Sequence, residues 1–330
     1  MGAIEAGAVD WREASVLVTG GTGSFGNKLV EIMLARHRPR RLVVFSRDEL
    51  KQSEMMARWS DPALRFFVGD VRDRDRLERA MHGVDVVFHA AAMKQIPACE
   101  YNPFEAIQTN VLGTKNVIDA AIDQGVKRVV GLSTDKACGP LNLYGATKLC
   151  AEKLLVQGNA YGHPRGTAFS VVRYGNVIGS RGSVIPLFLA QRPSGRVTVT
   201  DRAMTRFWIT LEQGVEFAVR CAGLMRGGEI FVPKIPSMRI TDLVATIAPG
   251  CAIEDIGIRA GEKLHEILIS EDESRQALEL DTMFVIEPIY PSWGFAGWEG
   301  GKRPARGFRY SSDANDVWLS PDQMKALAGD

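Results

Sequence analysis

The sequence predicts an α/β protein built on a doubly wound parallel sheet, followed by a smaller mixed α/β lobe. Short apolar strands alternate with amphipathic helical segments from Ser15 to about Val130, and a Gly-rich turn directly follows the first strand. After Tyr174 the rhythm changes, and Gly and Pro become denser. Strict alternation of strand and helix favours a parallel sheet with right-handed crossovers. We place the boundary after Tyr174, with one domain at residues 1–174 and a mostly substrate-binding lobe at residues 175–330.

The predicted elements follow one another closely in the first domain. The amphipathic segments Phe25–Arg36 and Phe104–Gln124 are predicted helices between strands rich in Val, Leu or Phe. A Tyr144–Ala160 helix and an Ala168–Tyr174 strand extend the pattern. Some later elements are expected to return to the sheet. The other predicted elements are the strands Ser15–Thr19, Arg41–Phe45, Arg65–Val68, Val84–His89 and Arg128–Ser133, and the later segments Leu211–Met225 and Ile230–Val232.

Composition narrows the classes of protein and partner. The 330 residues are 45% hydrophobic and 24% charged, with a formal charge of +1, as in an ordinary soluble globular protein without a nucleic-acid or anionic-membrane bias. The five cysteines are scattered without metal-ligand spacing, so we predict no metal site and no disulfide framework. Residues 1–11 lack a signal-peptide pattern, and no apolar run approaches the length of a membrane span. We therefore expect a cytoplasmic protein.

The Gly-rich turn predicts a dinucleotide site of the Rossmann type. It reads Gly-x-x-Gly-x-x-Gly between a strand and a helix, where glycines allow a tight turn and close approach of the backbone to a pyrophosphate. The helix N-terminus adds unpaired N–H groups and the positive end of its dipole. The candidate residues of this turn are Gly20, Thr22, Gly23, Ser24, Phe25 and Gly26.

The end of the second strand favours NADP over NAD. An NAD enzyme usually carries an acid there to bind the ribose hydroxyls, but this strand ends in Ser46-Arg47. Arg47 can pair with a 2′-phosphate, with help from Ser46 and Lys51. Asp48 and Glu49 keep NAD as the alternative. Further candidates for cofactor contact follow the third and fourth strands, at Asp70, Val71, Ala90 and Ala91.

Two pairs of residues suggest the chemistry. Tyr144 and Lys148 lie four apart on a predicted helix, and so share one face. An ammonium beside a phenol favours the phenolate, which a base near neutral pH requires. Asp135 and Lys136, just beyond a strand end, add an acid and a possible base that simple hydride transfer does not need.

Together with Ser133-Thr134, these motifs resemble the extended short-chain dehydrogenase/reductase superfamily from about Ser15 to Ile286. Several segments resemble more closely the inverting UDP-N-acetylglucosamine 4,6-dehydratases, the first enzymes of pseudaminic acid synthesis. The sequence departs from that pattern at residues 138–141, Cys-Gly-Pro-Leu, beside the reactive residues. The similar segments are 19–26, 45–51, 93–100, 133–137, 142–148, 173–177 and 261–266.

The resemblance implies a redox-neutral dehydration. Tyr144 would take the proton of the sugar 4-hydroxyl, and Thr134 would hydrogen-bond at that hydroxyl. Lys148 would lower the pKa of Tyr144 and bind the nicotinamide ribose. Lys136 would take the C5 proton, provided that burial and a neighbouring cation such as Lys94 keep it partly neutral. Asp135 would protonate the departing C6 hydroxyl, although the sequence leaves open which of the two acts as base.

The implied substrate is a nucleotide sugar, and the implied assembly is a homo-oligomer. Arg259 is the leading candidate for diphosphate contact, because a guanidinium matches phosphate oxygens. Lys94, Asn176 and Arg206 are further candidates for substrate contact. The nearest rival function is a UDP-hexose 4-epimerase, which would not need Asp135 and Lys136, and a retaining dehydratase would carry Asp-Glu there. A second rival is a nucleotide-sensing protein without catalysis.

Overall fold

The computed structural model describes residues 9–179 and 184–328. The prediction that residues 1–11 carry no signal peptide concerns residues 1–8 in part, and these eight residues lie outside the described ranges. The first domain contains six strands and seven α-helices among its described residues: β1 (Ser15–Thr19), α1 (Ser24–Ile32), β2 (Arg41–Ser46), α2 (Glu49–Arg58), β3 (Leu64–Val68), α3 (Arg74–Met81), β4 (Val86–His89), α4 (Ile96–Tyr101), α5 (Pro103–Ile107), α6 (Gly113–Asp123), β5 (Arg128–Thr134), α7 (Leu143–Gly162) and β6 (Ala168–Tyr174).

Shorter elements dominate the rest of the chain. They are β7 (Asn176–Ile178), α8 (Val184–Gln191), β8 (Arg196–Val199), β9 (Thr205–Thr210), α9 (Leu211–Leu224), β10 (Ile230–Pro233), β11 (Ser237–Arg239), α10 (Ile240–Ile247), β12 (Ala252–Asp255), β13 (Ile267–Ile269), α11 (Glu271–Ser274), β14 (Ala277–Glu279), β15 (Met283–Ile286), β16 (Tyr310–Ser311) and α12 (Pro321–Ala328).

A nine-stranded sheet forms the centre of the molecule, in the order β14-β15-β10-β6-β5-β4-β1-β2-β3. All neighbours from β3 to β10 pair in parallel, and β15 and β14 add an antiparallel edge. The predicted α/β fold with a doubly wound parallel sheet is therefore confirmed. The strand order reverses between β1 and β4, and this is where ligands bind in open sheets of this kind.

The second half of the chain contributes to both parts of the molecule. β10, β14 and β15 extend the main sheet, and α9 packs against α1. The smaller lobe has its own apolar core, which includes Phe188, Trp208 and Leu243. Its strands form separate small sheets of β11-β9-β7, β12-β8 and β13-β16. The boundary after Tyr174 stays a prediction.

Two predicted helices differ in the structure because each contains a wide π-helical turn. The helix predicted to end at Arg36 changes at Met33, where α1 gives way to a π turn that ends at His37. The segment predicted as Phe104–Gln124 divides into α5, a π turn from Gln108 to Leu112, and α6. Hydrophobic periodicity does not distinguish such a turn from an ordinary helix.

The second π turn has a structural use near the candidate site. It carries Asn110, whose side-chain oxygen accepts from Met93 N at 2.8 Å and whose amide donates to Met93 O at 2.9 Å. The same amide donates to Thr147 Oγ1 at 3.0 Å. Asn110 thereby fixes the loop that carries Lys94 against helix α7.

A buried charge cluster joins the sheet to the smaller lobe. The fully buried guanidinium of Arg173, on β6, donates to Glu152 of α7 at 2.6 and 2.9 Å. It also donates to Glu273 of α11 at 2.8 and 3.0 Å. Burial alone would raise the pKa of Glu273, but Arg173 outweighs it and lowers that pKa to about 2.

None of the helices described within residues 9–179 and 184–328 has the length and apolar character needed to cross a membrane.

The charge cluster predicts a large loss of stability from one substitution. Glu152→Ala removes a partner of the buried Arg173 guanidinium and should lower the free energy of unfolding by about 3 kcal/mol, the lower end for a broken buried pair, because Glu273 remains. Glu212→Ala is the matched control, since Glu212 pairs with Arg36 at the surface and should cost less than about 1 kcal/mol. Denaturant unfolding measures both, and equal effects would contradict the prediction.

Candidate active site

The candidate site is a cleft along the carboxyl edge of the parallel strands. It consists of three adjoining cavities of about 410, 330 and 620 Å³. The first and second share Ser24, Phe25 and Lys94 in their walls, and the second and third share Lys136 and Asn176. A long ligand with two different ends could therefore occupy the cleft without a break.

The first cavity, called the cofactor cavity here, lies beyond β1 and β2. The predicted residues that line it are Gly20, Thr22, Gly23, Ser24, Phe25, Ser46, Arg47, Lys51, Asp70, Val71, Ala90 and Ala91. Tyr144 and Lys148 line the second cavity instead. Gly26 packs inside the turn, where an added Cβ would lie 2.2 Å from Gly21 O.

The geometry of the turn fits a dinucleotide. Gly20 has φ of +65°, and a Cβ there would lie 2.9 Å from the Ala91 backbone, so the two strand ends approach each other closely. Helix α1 begins at Ser24 with Gly23 as its N-cap and with no side-chain hydrogen bond to the cap. The free N–H groups and the dipole of α1 thus point to a place suited to a pyrophosphate.

The residues predicted to select the dinucleotide have partners. Lys51 pairs with Asp48, which also caps helix α2, and the buried Ser46 hydroxyl accepts from Gln52 at 3.1 Å. Arg47 is exposed, with its guanidinium 3.4 Å from the Asp70 carboxylate.

Asp70 is held by Arg72 more closely than by Arg47, at 2.8 and 3.0 Å. Burial alone would raise the pKa of Asp70, but the hydrogen bonds from Arg72 outweigh it and lower that pKa. Asp70 is therefore an ionised acceptor at the rim of the cofactor cavity.

The second cavity, called the reaction cavity here, brings together the five residues predicted to be catalytic. Thr134 ends β5, Asp135 and Lys136 form a single 3₁₀ turn after it, and Tyr144 and Lys148 lie in the first turns of α7. Helix α7 packs closely against this 3₁₀ turn, because a Cβ on Gly145 would lie 2.3 Å from Lys136 O.

Asn142 fixes the start of helix α7. Its oxygen caps α7 by accepting from Gly145 N at 2.8 Å, and its amide donates to Gly261 O at 2.8 Å. Helix α7 is thereby tied to the loop of the smaller lobe that carries Arg259.

Lys136 lies between two carboxylates. Its Nζ is 3.0 Å from Asp135 Oδ1 and 3.3 Å from Glu266 Oε1. Burial alone would lower the pKa of Lys136, but the two carboxylates outweigh it and hold that pKa above its ordinary value. The expectation of a partly neutral Lys136 is corrected, because the acids that face it favour the ammonium.

The Tyr144 hydroxyl is buried, which raises its pKa to about 12. The Lys136 ammonium and a hydrogen bond with Thr134 act in the opposite direction and lower it. The effect expected of Lys148 stays a prediction, and Lys136 is a second cation that acts on Tyr144 in the same direction. Burial lowers the pKa of Lys148 itself to about 8, although Glu152 opposes the shift.

The third cavity, called the substrate cavity here, lies mostly against the smaller lobe. It is lined by Arg259, Arg206, Asn176, Lys136 and Glu266. Arg259 is exposed on a loop, whereas the Arg206 guanidinium donates to backbone oxygens, among them Thr205 O at 2.8 Å and Leu264 O at 3.0 Å. Lys94 lines the reaction and cofactor cavities.

Unpaired polar atoms also mark the cleft. Among the described residues, buried Asn176 Oδ1, Asp135 Oδ2 and Glu266 Oε2 have no hydrogen-bond partner. Burial of such atoms is costly unless a ligand or water satisfies them. Their presence in the walls of the reaction and substrate cavities fits a polar ligand.

The sequence alone predicts no role for three residues of the cleft, Glu266, Asn142 and Tyr174. Glu266 and Asn142 belong to segments that carried the family resemblance, but neither has a local spacing that points to Lys136 or Gly261. Tyr174 ends β6 and lines the reaction cavity, where it is nearly buried beside Tyr144.

The comparisons with known proteins agree with this architecture. Residues 16–288 match the family described as "Polysaccharide biosynthesis protein". A Campylobacter jejuni serotype O:2 protein named UDP-N-acetylglucosamine 4,6-dehydratase (inverting) is 49% identical, over 95% of this chain and 97% of its own. A Rickettsia conorii protein named UDP-glucose 4-epimerase is 41% identical, over 96% of this chain and 95% of its own.

Two solved structures have the same fold. The X-ray structure of Pen from Bacillus thuringiensis is 40% identical and has a TM-score of 0.87, covering 97% of this chain and 99% of its own. The dTDP-glucose 4,6-dehydratase DesIV from Streptomyces venezuelae, with NAD and TYD bound, is 25% identical with a TM-score of 0.67. It covers 76% of this chain and 86% of its own.

Lys136 and Lys148 lie in opposite electrostatic environments, so their pKa values should differ measurably. The Lys148 ammonium should lose its proton with a midpoint near pH 8, because burial lowers its pKa. Lys136 should keep its proton to beyond the ordinary lysine value of 10.5, because two carboxylates hold it. NMR of isotopically methylated lysines measures both midpoints, and Lys148→Met and Lys136→Met assign the signals. A Lys136 midpoint near neutrality would contradict the arrangement.

Proposed function

The chain belongs to the polysaccharide biosynthesis protein family and, within it, to the inverting UDP-N-acetylglucosamine 4,6-dehydratases, and from that membership we propose that it dehydrates UDP-N-acetylglucosamine with inversion at C5. The product would be a UDP-2-acetamido-2,6-dideoxy-4-keto-hexose. The observation that carries the proposal is the presence of Asp135 and Lys136 in the same cavity as Tyr144 and Lys148. Oxidation and reduction at a sugar carbon need one base, whereas elimination of water needs a second base and an acid.

The first proposed step is oxidation at C4. Tyr144, as phenolate, removes the proton of the 4-hydroxyl, and the Lys136 ammonium and Thr134 favour that phenolate. The nicotinamide dinucleotide supplies the hydride acceptor for C4 and later the hydride donor for C6. Lys148, buried beside the cofactor cavity, is proposed to bind the nicotinamide ribose.

Elimination requires a neutral amine and a neutral acid, and one proton transfer provides both. Moving a proton over the 3.0 Å from Lys136 Nζ to Asp135 Oδ1 converts the resting ion pair into that pair. Lys136 then takes the C5 proton, which the adjacent 4-ketone makes acidic, and Asp135 protonates the C6 hydroxyl as it leaves as water. A proton from solvent then adds to the opposite face of C5 and inverts that carbon, while the abstracted proton stays on Lys136 and restores the resting ion pair.

Binding of the nucleotide sugar is assigned to the substrate cavity. The exposed Arg259 is proposed to contact the diphosphate, and Asn176 and Lys94 are proposed to contact the sugar side of the cleft. Arg206 is proposed to support that contact, although most of its donors already bind backbone oxygens.

The proposed dinucleotide is NADP. NAD-bound relatives of the same fold, such as DesIV, support a nicotinamide dinucleotide as the cofactor. The choice of NADP over NAD is supported by the exposed Arg47 guanidinium at the end of β2 and by the ion pair between Asp48 and Lys51. Asp48 is thus occupied with a neighbouring cation rather than open for a ribose.

A homo-oligomer, a cytoplasmic location and a role in pseudaminic acid synthesis stay proposals. Exposed Tyr101 and Phe104, which lie on adjacent helices α4 and α5, support an interface between subunits. The rival function, a UDP-hexose 4-epimerase, is favoured by the identity with the Rickettsia conorii protein. It leaves the buried acid and the lysine beside Tyr144 without a use.

The dehydration of UDP-N-acetylglucosamine in deuterated water tests the proposal. The expected product is lighter by one water, carries deuterium at C5 and has the inverted configuration there, as seen by mass spectrometry and proton NMR. Tyr144→Phe should abolish the reaction, because it removes the base for C4 oxidation. Recovery of the 4-epimer without loss of water would favour the rival function instead.

The choice of dinucleotide is tested at Arg47. Arg47→Ser should weaken NADP binding by about tenfold to a hundredfold, because a hydrogen bond to a charged group contributes roughly 1.5–3 kcal/mol. NAD binding should change little. Arg58→Ser, which removes an exposed arginine from helix α2, is the matched control. Calorimetric titration measures both affinities, and tighter binding of NAD than of NADP by the unaltered protein would overturn the choice.

A further inference from the structure

Glu266 is a buried acid that has no role in the proposed dehydration as described so far. Its side chain is 3% exposed, and it lies in the wall of the substrate cavity with Lys136. Its Oε1 is 3.3 Å from Lys136 Nζ, while Oε2 has no hydrogen-bond partner among the described residues. A buried carboxylate with one free oxygen is costly to keep without a function or a strong electrostatic partner.

The backbone of Glu266 is rigidly held. Its N–H donates to Ser312 Oγ at 2.9 Å, and Ser312 N donates back to Glu266 O at 2.8 Å. Ser312 is in turn 2.7 Å from Thr205 Oγ1, at the start of β9. The carboxylate therefore projects toward Lys136 from a fixed frame in the smaller lobe, whereas Asp135 approaches Lys136 from the main sheet.

The charges that face this pair come from several elements. Arg206 Nε is 3.9 Å and Lys263 Nζ is 4.0 Å from the Glu266 carboxylate. The titratable or charged groups that face Lys136 are Asp135, Tyr144, Arg206 and Glu266. Arg206 disfavours the ammonium of Lys136, whereas Asp135 and Glu266 both favour it.

We propose that Glu266 is a positioning residue for the elimination step, which holds Lys136 Nζ against Asp135 and keeps the resting proton on the amine. Glu266 thereby preserves the cation beside Tyr144 during oxidation at C4, and the proton passes to Asp135 only for the elimination. The inference rests on the proposed dehydration, because it assigns Lys136 as the C5 base.

The pH dependence of turnover tests this role. The elimination needs the one proton that Lys136 and Asp135 share, so turnover falls as pH rises through the pKa of Lys136. Glu266→Gln removes a charge that stabilises the ammonium and so lowers that pKa. The falling limb should therefore move to lower pH by about one unit or more, the usual effect of an opposite charge at this distance. Glu262→Gln, which removes a carboxylate from the same cavity and loop, is the matched control and should leave the limb in place.

Two further measurements separate this role from a structural one. Glu266→Asp keeps the negative charge but moves it away from Lys136, because the aspartate side chain is shorter. The limb of the pH profile should therefore move in the same direction by a smaller amount. The NMR titration of methylated Lys136 should show the same order of midpoints, with the unaltered protein highest and Glu266→Gln lowest. If Glu266→Gln does not fold, Glu266→Asp decides alone.

An unchanged Lys136 midpoint in these variants would overturn the proposal, even where turnover falls. Absence of dehydration by the unaltered protein would instead overturn the proposed function. The lysine titration would still decide whether Glu266 sets the resting proton, because that measurement does not require turnover.

Discussion

The structure depends on one buried guanidinium. Arg173 lies in the centre of the main sheet and binds Glu152 on helix α7 and Glu273 in the smaller lobe. Glu273 in turn accepts from the thiol of Cys138, two residues after Lys136, at 3.3 Å. Breaking such a buried pair is costly because the remaining charge stays desolvated. The helix that carries Tyr144 and the turn that carries Lys136 are thus held by the same cluster.

This frame explains why the chemistry lies where the two parts of the molecule meet. The main sheet supplies Asp135 at the end of β5, and the smaller lobe supplies Glu266 just before β13, so Lys136 receives a carboxylate from each side. Its charge opposes the effect of burial on the pKa of Tyr144, although that pKa stays raised, at about 12. The pair proposed for the elimination therefore also acts on the base proposed for the oxidation, so the two proposed half-reactions would share one electrostatic environment.

The sequence was a good guide to the local elements and a weaker guide to long-range charge. Strands such as Ser15–Thr19 and Ala168–Tyr174 were predicted with the bounds they have, because continuous apolar runs report burial on both faces. The π turn around Asn110 was missed, since its periodicity resembles that of an α-helix. The predicted residues of the cleft came from motifs, but the second carboxylate that faces Lys136 did not. Glu266 lies 130 positions away along the chain, and no spacing connects the two.

We propose that Tyr144 serves oxidation at C4, whereas Asp135 and Lys136 serve the elimination that follows. Asp135→Asn separates these steps, because it removes the acid for the leaving hydroxyl and leaves Tyr144 and Lys148 in place. The most direct measurement is the absorbance of the reduced nicotinamide after UDP-N-acetylglucosamine is added to this variant. We expect the absorbance to rise and persist while no product lighter by one water appears. Release of that product at the rate of the unaltered protein would contradict the proposal.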